Sequence, residues 1–595
     1  MSGSLPVVAS AAASCRLESW YDPHRSSNGV FRIRLVNTGP LPVAVGAIGF
    51  QTVVALTSSG LEGVVLTRLS GHHLVGLARP VVIESGTVLE LGEFGCGHRP
   101  GHANDGPTGA FLVEASGAVV AVRTATTGRF VVAGVERIVE PPLRLALAAE
   151  EGARWRETWS RAVACERRLL RRPGALVDDG TGDRVVRIAR ERTPIAPEGV
   201  EVDGDRAEVT ISIADPPALL RGAFGLARLV HRGEWPIGRA RWTPRWGWRG
   251  LSVDLARQFL PSSDVLDLLD TAAWLGLNRL HLHLTDDEAW RLPVPDYPTL
   301  AASGATRGWG WPIPPLLGSG PAPYGRAYRS DELAAWVARG AELGVVVVPE
   351  VDLPGHCFAA RRSVAALVAD GDVTTAPSVQ HFEANVLDPG LTATWRFLEA
   401  VFGALADCFP GPWVHLGGDE VANGALRGSP AAADWARRRG IEPPDVATVL
   451  MAEIIGLAAR TTGRRIGVWE EAALSGALTP GTGYALAWSS SASAARLAAM
   501  GHDVVAAPAD AVYLDMAWSA DWWSPGASWS GVVGTDAITR WDPAAGWPAE
   551  GPGRLLGVQA ALWSEHVVDR PTLDRMLDRR LEAVAAAGWH YERTR

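Results

Sequence analysis

Short apolar runs separated by turn residues dominate the first 140 residues. Residues 31–35 alternate strictly between apolar and polar side chains, which is typical of a half-buried strand. Residues 119–122 and 130–132 are further apolar runs, and clusters of Gly, Ser and Thr separate them. Short strands divided by turn residues predict a β-rich, sandwich-like domain over residues 1–140.

The pattern then changes to a helical period. Residues 143–172 are rich in Ala, Leu, Glu and Arg, and Trp155 and Trp159 lie one helical turn apart. We therefore expect a helix there. Two strands and an apolar helix are predicted next, at residues 185–188, 208–213 and 219–230. Together these elements predict a helical linker and a small α+β domain over residues 141–240.

From residue 241 onward the chain repeats one unit, a buried strand followed by a loop or a helix. The first of these helices is predicted at residues 262–275. The strand candidates are residues 250–255, 279–284, 345–349, 413–416, 466–469, 484–488, 503–506 and 556–562. Strands in this number, spread over about 350 residues, are typical of the α/β class and predict a (β/α)8 TIM barrel. In such a barrel the functional residues lie at the C-terminal ends of the strands.

One strand runs directly into a pair of carboxylates. Gly417 and Gly418 follow the apolar run at residues 413–416, and Asp419 and Glu420 come next. Adjacent side chains on a regular strand point to opposite faces, so leaving the strand at the glycines allows both carboxylates to face one ligand. The alternative interpretation is a helix N-cap, where a carboxylate is common. The other strand ends favour the first interpretation.

Acidic and aromatic residues follow nearly every strand of the predicted barrel. They include Asp254, Arg257, His281, His283, Asp286, Asp287, Glu350, Asp352, His356, Trp469, Glu470, Trp488, Tyr513, Asp515, Trp563 and Glu565. Capping or packing explains any one of them, but not the whole set at one end of one barrel. Carboxylates and arginine bind hydroxyl groups, and indole rings cover the faces of sugars, so the set predicts a carbohydrate pocket.

Composition narrows the function further. The net charge of −9 and the pI near 5.9 speak against a nucleic-acid partner. The chain has no lysine, so all 56 basic residues are arginine and lysine-based chemistry is excluded. The five cysteines have no metal-like spacing and predict no disulfide framework.

No export or membrane-spanning segment is evident. Residues 1–19 lack the basic start and the sustained apolar stretch of a signal peptide. No apolar run is long enough to cross a bilayer. We therefore expect a cytoplasmic protein with no membrane partner, although a chain trimmed of its export signal would have the same sequence.

Six segments together resemble the family 20 glycoside hydrolases, the β-N-acetylhexosaminidases. They are residues 250–259 (GLSVDLARQF), 281–287 (HLHLTDD), 349–356 (PEVDLPGH), 415–420 (HLGGDE), 513–515 (YLD) and 562–565 (LWSE). The resemblance rests on their order and spacing. It covers about residues 175–595 and includes the small α+β domain that precedes the barrel in this family.

The resemblance implies roles for the matching positions. Glu420 would be the general acid/base, and Asp419 would orient and polarise the 2-acetamido group of the substrate. Asp286 and His356 would support these two carboxylates. The other implied binding residues are Arg257 and Glu565 for hydroxyls of the terminal sugar, Trp469, Trp488 and Trp563 as aromatic walls, Tyr513 and Asp515 for the acetamido oxygen and nitrogen, and Trp529 on the leaving-group side.

The reaction implied by the resemblance is substrate-assisted and needs no cofactor or metal. Most retaining glycosidases use a carboxylate nucleophile, whereas in this family the acetamido oxygen attacks the anomeric carbon. The expected activity is exo-acting hydrolysis of terminal GlcNAc or GalNAc from a β-linked glycan, with retention. Barrel enzymes of this kind are often dimers, so a homodimer is expected by analogy.

Several features depart from the family pattern. Position 288 is Glu, where the family usually has Gln, and the insert at residues 308–324 is expected to reshape the mouth of the pocket. The segment between Glu420 and Trp469 is also long. The first 140 residues match nothing specific, and a structural accessory domain is favoured over a sugar-binding one. We expect the scattered histidines at positions 72, 73, 98 and 102 to be structural or surface groups.

Two other functions compete with this interpretation. Two histidines at the end of one barrel strand, here His281 and His283, are typical of a metal-dependent, amidohydrolase-type site. His356 and His415 are the further metal ligands that this interpretation needs. Such a site often contains a bridging lysine, which this chain lacks. The other alternative is a non-catalytic sugar-binding protein on a degenerate barrel. The intact pair of Asp419 and Glu420 argues against it.

Overall fold

A computed structural model describes residues 11–57, 64–126, 143–148, 151, 153–170, 174–178, 182–189, 197–213, 215–547 and 551–594. Within these ranges no helix combines the length and the apolar character needed to cross a bilayer. The strand predicted at residues 130–132 lies outside the described residues.

Two antiparallel-rich sheets form the N-terminal region. Their strands are β1 (Cys15–Asp22), β2 (Val30–Asn37), β3 (Val43–Gln51), β4 (Val64–Leu69), β5 (His72–Ile83), β6 (Val88–Gly95), β7 (Thr108–Glu114), β8 (Val119–Ala121) and β9 (Arg123–Thr126). One sheet has the order β6-β2-β1-β9 and the other β4-β5-β3-β7-β8. The alternation in β2 buries Phe31, Ile33 and Leu35 in a core that also contains Ile48 and Phe50 of the other sheet. The predicted β-rich N-terminal region is confirmed.

A third sheet, of mixed strand direction, follows, with two helices packed against it. Its elements are β10 (Leu145–Leu147), α1 (Ala153–Leu170), β11 (Leu176–Val177), β12 (Arg184–Ala189), β13 (Val200–Gly204), β14 (Glu208–Ile213), α2 (Pro216–His231) and β15 (Gly238–Pro244). The strand order is β11-β10-β12-β14-β13-β15, and the last strand of the chain extends it beyond β15. Asp215 caps α2 by accepting the backbone N–H of Ala218, and a proline opens the first turn.

The helix predicted over residues 143–172 is wrong at its start. Residues Leu145–Leu147 form β10, which pairs in parallel with β11 and β12. Leu145 and Ala146 are buried in this pairing, so tertiary burial overrides the helical propensity of an Ala- and Leu-rich stretch. The helix therefore begins at Ala153.

Eight parallel strands close into the predicted barrel. The strands of this region are β16 (Trp248–Asp254), β17 (Arg279–His283), β18 (Thr285–Asp286), β19 (Ala289–Trp290), β20 (Val346–Glu350), β21 (Trp413–His415), β22 (Arg465–Trp469), β23 (Gly483–Ala487), β24 (Val504–Ala506) and β25 (Leu555–Leu562). The closed order is β16-β17-β20-β21-β22-β23-β24-β25, while β18 and β19 form a small hairpin beyond β17. Each barrel strand lies within two residues of its predicted bounds, so the predicted fold class is confirmed.

Helices connect the barrel strands and cover the outside of the barrel. They are α3 (Ser262–Leu275), α4 (Ser330–Leu343), α5 (Phe358–Ser363), α6 (Thr392–Cys408), α7 (Pro430–Arg439), α8 (Val446–Thr462), α9 (Glu470–Leu474), α10 (Ser491–Ala499), α11 (Ala509–Val512), α12 (Thr535–Arg540) and α13 (Arg570–Ala587). The last strand, β26 (Trp589–Thr594), pairs antiparallel with β15. The end of the chain therefore lies outside the barrel and ties it to the preceding sheet.

Candidate active site

A cavity of about 410 Å³ lies at the C-terminal ends of the barrel strands. The predicted site residues that line it are Arg257, Asp286, Asp419, Glu420, Trp469, Trp488, Tyr513, Asp515, Trp529, Trp563 and Glu565. His356 lies behind this lining, with its Nε2 atom 3.8 Å from Oε2 of Glu420. The fold thus brings together residues that are up to about 300 positions apart in the sequence.

The two glycines after β21 place the paired carboxylates. Gly417 and Gly418 have φ angles of 65° and 93°, which favour glycine. A Cβ atom on Gly417 would lie 1.8 Å from Oδ1 of Asp352, so a side chain does not fit there. The backbone N–H of Gly418 donates to the same Asp352 oxygen at 3.1 Å. This tight turn takes Asp419 and Glu420 off the strand and into the cavity.

Glu420 has the surroundings of a general acid. Its side chain is 23% exposed, and Nε2 of Gln380 donates a 3.0 Å hydrogen bond to its Oε2 atom. Burial raises the pKa of the Glu420 carboxyl, and the neighbouring Asp419 adds to the rise, while His356 opposes it. A raised pKa keeps a carboxyl protonated closer to neutral pH, which is the state that can give up a proton.

Asp419 differs from its neighbour in its contacts. Its Oδ1 atom is buried and accepts no hydrogen bond from the described residues. Its Oδ2 atom lies 4.0 Å from Nε2 of His356. Because a buried oxygen without a partner is costly, Oδ1 is arranged to accept a donor from a ligand in the cavity.

A buried network supports both carboxylates from behind. His356 Nδ1 lies 3.1 Å from Oδ1 of Asp286, whose Oδ2 contacts His283 Nε2 and Arg257 Nη2, both at 2.8 Å. Burial alone would raise the pKa of Asp286, but Arg257 and the two histidines hold it well below its usual value. For His356 the directions are reversed. Burial alone would lower its pKa, but Asp286 and neighbouring carboxylates raise it well above its usual value. The network therefore presents a positive imidazole to Glu420 and Asp419.

Arg257 organises the other end of the cavity. Its Nε atom lies 3.4 Å from Oε1 of Glu565 and 3.5 Å from Oε2 of Glu288. The guanidinium carbon is 5.1 Å from the centre of the Trp563 ring. A planar cation held between two carboxyl groups and an indole is suited to binding two vicinal hydroxyl groups of a sugar.

Aromatic rings form a continuous wall beside the carboxylates. Trp469 and Trp563 lie 5.8 Å apart, and Trp563 lies 6.3 Å from Tyr513. Trp529 meets Trp488 and Tyr513 edge to face, each at 5.9 Å. Trp529 is 60% exposed, so it stands at the rim of the wall. These faces can enclose a pyranose ring and its acetamido group.

Asp515 lies at the base of this wall. Its Oδ1 atom accepts the backbone N–H of Trp563 at 3.3 Å. Burial, together with the charge of Glu565, raises the pKa of Asp515 to about 7. Burial also raises the pKa of the neighbouring Tyr513 well above its usual value, so its hydroxyl remains a donor.

Some residues of the site were not predicted as site residues. Gln380 reaches Glu420 from a loop that no motif marks. Asp352 belongs to the strand-end set, but the resemblance implies no role for it. Burial and Asp419 raise the pKa of Asp352 well above its usual value. Glu471 receives a 2.9 Å hydrogen bond from the indole of Trp488, and burial and Asp419 raise its pKa to about 8. Glu471 follows Trp469 and Glu470 directly, so the double acid after β22 was an available signal.

Glu288 is a further polar group in the cavity, and it yields a prediction. It is buried, lines the cavity, and has an Oε2 atom without a hydrogen-bond partner among the described residues. Burial and the charge of Asp286 raise the pKa of Glu288 well above its usual value. We therefore expect a neutral carboxyl that exchanges hydrogen bonds with a substrate hydroxyl.

Glu288→Gln is expected to keep kcat/KM within about threefold of wild type, because an amide of the same shape also donates and accepts. Glu288→Leu should lower kcat/KM about tenfold through the lost hydrogen bond, mainly by raising KM. Steady-state kinetics at neutral pH checks both values. An equal loss in the two variants would show that the charge of Glu288 is what matters.

Two histidines of the competing metal-dependent interpretation, His281 and His415, lie beneath the cavity beside Glu350. The other two, His283 and His356, contact Asp286 in the network described above. Glu350 accepts from His415 Nδ1 at 2.8 Å and from the Trp469 indole at 2.8 Å, and it lies 3.1 Å from His281 Nε2. His281, Glu350 and His415 bring ligand atoms within 4.8 Å of one another, but all three are fully buried and none lines the cavity. We interpret this cluster as buried polar packing beneath the cavity. Trp469 connects it to the aromatic wall, because its indole donates to Glu350 and its ring lines the cavity.

Comparisons with known proteins bear on the family and on the fold. Residues 246–592 match the family described as "Glycosyl hydrolase family 20, catalytic domain". The chain is 34% identical over 351 residues to the beta-hexosaminidase of Vibrio furnissii, covering 58% of this chain and 57% of that relative. It is 32% identical over 423 residues to the beta-N-acetylhexosaminidase of Cellulomonas fimi, covering 69% and 78%.

Solved structures extend the comparison to the fold. The GH20 beta-N-acetylhexosaminidase of Streptomyces coelicolor is 28% identical with a TM-score of 0.59, covering 76% of this chain and 87% of that one. The GH20 exo beta-N-acetylglucosaminidase of Vibrio harveyi, in complex with N-acetylglucosamine, has a TM-score of 0.84 at 24% identity. That match covers 97% of this chain and 94% of the other, so the fold likeness includes the N-terminal sheets.

Proposed function

The chain belongs to glycosyl hydrolase family 20, and from this premise we propose that it is an exo-acting, retaining β-N-acetylhexosaminidase. Its substrates are glycans that carry a terminal, non-reducing, β-linked GlcNAc or GalNAc. The observation that carries the proposal is the pair of adjacent carboxylates with different surroundings. Glu420 has a raised pKa, whereas Asp419 presents an unpartnered buried oxygen to the same cavity.

The first step uses the substrate's own acetamido group. Its carbonyl oxygen attacks the anomeric carbon and forms a bicyclic oxazolinium ion. At the same time Glu420 gives its proton to the glycosidic oxygen, and the C–O bond to the leaving group breaks. Asp419 accepts the acetamido N–H and stabilises the positive charge that grows on this nitrogen.

The second step reverses the proton transfer. Glu420, now a carboxylate, takes a proton from water, and the water oxygen attacks the anomeric carbon. The oxazolinium ring opens and the acetamido group is regenerated. Two displacements at one carbon leave its configuration unchanged, so the β-anomer is released first.

Substrate selectivity tests the proposal. The 4-nitrophenyl glycosides of β-GlcNAc and β-GalNAc should be hydrolysed, whereas the plain β-glucoside should not, because it has no acetamido nucleophile. Comparable turnover of the glucoside would refute the substrate-assisted reaction. Absence of turnover of all three would favour a non-catalytic sugar-binding protein.

Metal removal separates the proposal from the metal-dependent alternative. Dialysis against EDTA should leave kcat/KM for the N-acetyl substrate unchanged, because every proposed step uses side chains and substrate atoms only. Loss of activity that Zn²⁺ restores would contradict this expectation and favour a metal-dependent hydrolase.

A further inference from the structure

The N-terminal sheets contribute directly to the wall of the catalytic cavity. Residues of three of their loops line it, namely Thr52, Val53, Ala55, Ser70, Gly71 and His98. His98 is exposed, as expected of a surface group, and its exposed side belongs to the cavity wall. Val53 is 37% exposed although it lies in this wall, which leaves an apolar face open to a ligand.

A hydrogen-bonded path links these loops to the proposed acid. Ser70, in the turn between β4 and β5, is buried and has a φ angle of 51°. Its Oγ atom donates to the backbone carbonyl of Gln380 at 2.7 Å. The side chain of the same Gln380 donates to Glu420 at 3.0 Å. The N-terminal sheets thus fix the residue that orients the Glu420 carboxyl.

The same sheets also hold the loop that carries Trp529. The backbone N–H of Ala103 donates to the carbonyl of Trp522 at 2.8 Å, and Tyr21 stacks on the Trp522 ring at 5.3 Å. A Cβ atom on Gly101 would lie 1.9 Å from Oγ of Ser528, so the two segments are in close contact. The position of Trp529, directly after Ser528, therefore depends on the N-terminal sheets.

Two further contacts complete this attachment. Asp105 and His566 form a buried ion pair at 3.3 Å, and His566 follows the proposed hydroxyl ligand Glu565. In the insert at 308–324, the ring of Trp309 meets Phe111 at 5.3 Å, and Leu316 and Leu317 line the cavity. The insert, which was expected to reshape the pocket mouth, is thus packed between β7 and the cavity.

We propose that the N-terminal sheets form one wall of the leaving-group subsite, which receives the sugar directly after the scissile bond. This inference rests on the proposed hydrolase function and deepens it. Glu420 must lie beside the glycosidic oxygen, so the leaving sugar occupies the side of the cavity nearest Glu420 and Gln380. Ser70 belongs to that side through Gln380, Val53 lines the same cavity, and Trp529 offers a ring face to a pyranose. The ligand class is the hexopyranose to which the terminal sugar of the glycan is linked.

The test compares a ligand that fills only the terminal-sugar site with one that also fills the leaving-group subsite. N-acetylglucosamine, measured as an inhibitor, reports on the first, and N,N'-diacetylchitobiose, measured as a substrate, reports on both. Val53→Trp should lower kcat/KM for the disaccharide about tenfold or more by filling the subsite. The inhibition constant of N-acetylglucosamine should stay within about twofold.

A matched control is available in the same sheets. Val82 on β5 is 58% exposed and does not line the cavity, so Val82→Trp should leave both values unchanged. Val53→Ala should also lower the disaccharide kcat/KM, and it removes the risk that a bulky residue disturbs folding. Equal disaccharide kinetics in Val53→Trp, Val53→Ala and Val82→Trp would overturn the inference. Wild-type failure on every N-acetylhexosaminide would instead refute the proposed function itself.

Ser70 is a positioning residue, and its effect should appear in kcat. Ser70→Ala should lower kcat for the disaccharide about threefold to tenfold, with the inhibition constant of N-acetylglucosamine unchanged. Ser70→Gly suits the φ angle of 51° and also lacks the hydroxyl, so it should show the same loss. Unchanged kcat in both variants, or a change in KM alone, would contradict a path from Ser70 to Glu420.

Discussion

Replacing Glu420 by Gln should lower kcat for sugar leaving groups about 10³-fold and leave KM nearly unchanged, because the amide keeps the shape but cannot supply a proton. The pH profile should change as well. Burial and Asp419 raise the pKa of Glu420, so wild-type kcat/KM should fall at alkaline pH as this carboxyl ionises. That alkaline limb should be absent from the variant. Steady-state kinetics across pH measures both effects.

The leaving group provides the control for this prediction. A 2,4-dinitrophenyl glycoside departs without protonation, so Glu420→Gln should slow its release far less, by about tenfold. A similar loss for both leaving groups would contradict the role of Glu420 as the acid. It would show instead that the substitution disturbs the cavity.

Asp419→Asn should lower kcat for the N-acetyl glycosides about 10²- to 10³-fold. The carboxylate opposes the charge that develops on the acetamido nitrogen, and an amide of the same size carries no such charge. The buried Oδ1 atom, which has no partner among the described residues, is the atom expected to accept the N–H. Kinetics on 4-nitrophenyl β-GlcNAc, with KM and kcat separated, checks this expectation.

The split between kcat and KM decides what Asp419 does. A loss confined to KM would mean that Asp419 binds the ground state and the transition state equally, which contradicts the proposed role. Asp434→Asn, at a surface carboxylate that pairs with Arg438 at 2.9 Å, is a matched control and should leave both parameters unchanged.

The barrel was predictable because its signals are local. Each buried strand is a short apolar run bounded by turn or helix residues, as at Arg465–Trp469, and such runs need no knowledge of distant contacts. The strand Leu145–Leu147 was not predictable in this way. It has three residues within an Ala- and Leu-rich stretch, and only its pairing with two later strands makes it a strand.

The same distinction holds for the site. Asp419 and Glu420 follow a strand end directly, so the sequence marks them as a pair at the functional end of a barrel. Ser70 has no such mark, because its relation to Glu420 depends on a contact with Gln380, 310 residues further along the chain. Contacts of that range arise from domain packing, which periodicity and spacing along one segment cannot report.

In the proposed reaction the substrate supplies the nucleophile, and a series of substrates that differ only at C2 tests this step. 4-Nitrophenyl β-glycosides that carry N-acetyl, N-fluoroacetyl, N-difluoroacetyl and N-trifluoroacetyl groups at C2 differ in the nucleophilicity of the same carbonyl oxygen. We expect kcat/KM to fall at each added fluorine, by about 10²-fold or more across the series. A series in which kcat/KM stays level would contradict it, because the acetamido oxygen would then not attack the anomeric carbon.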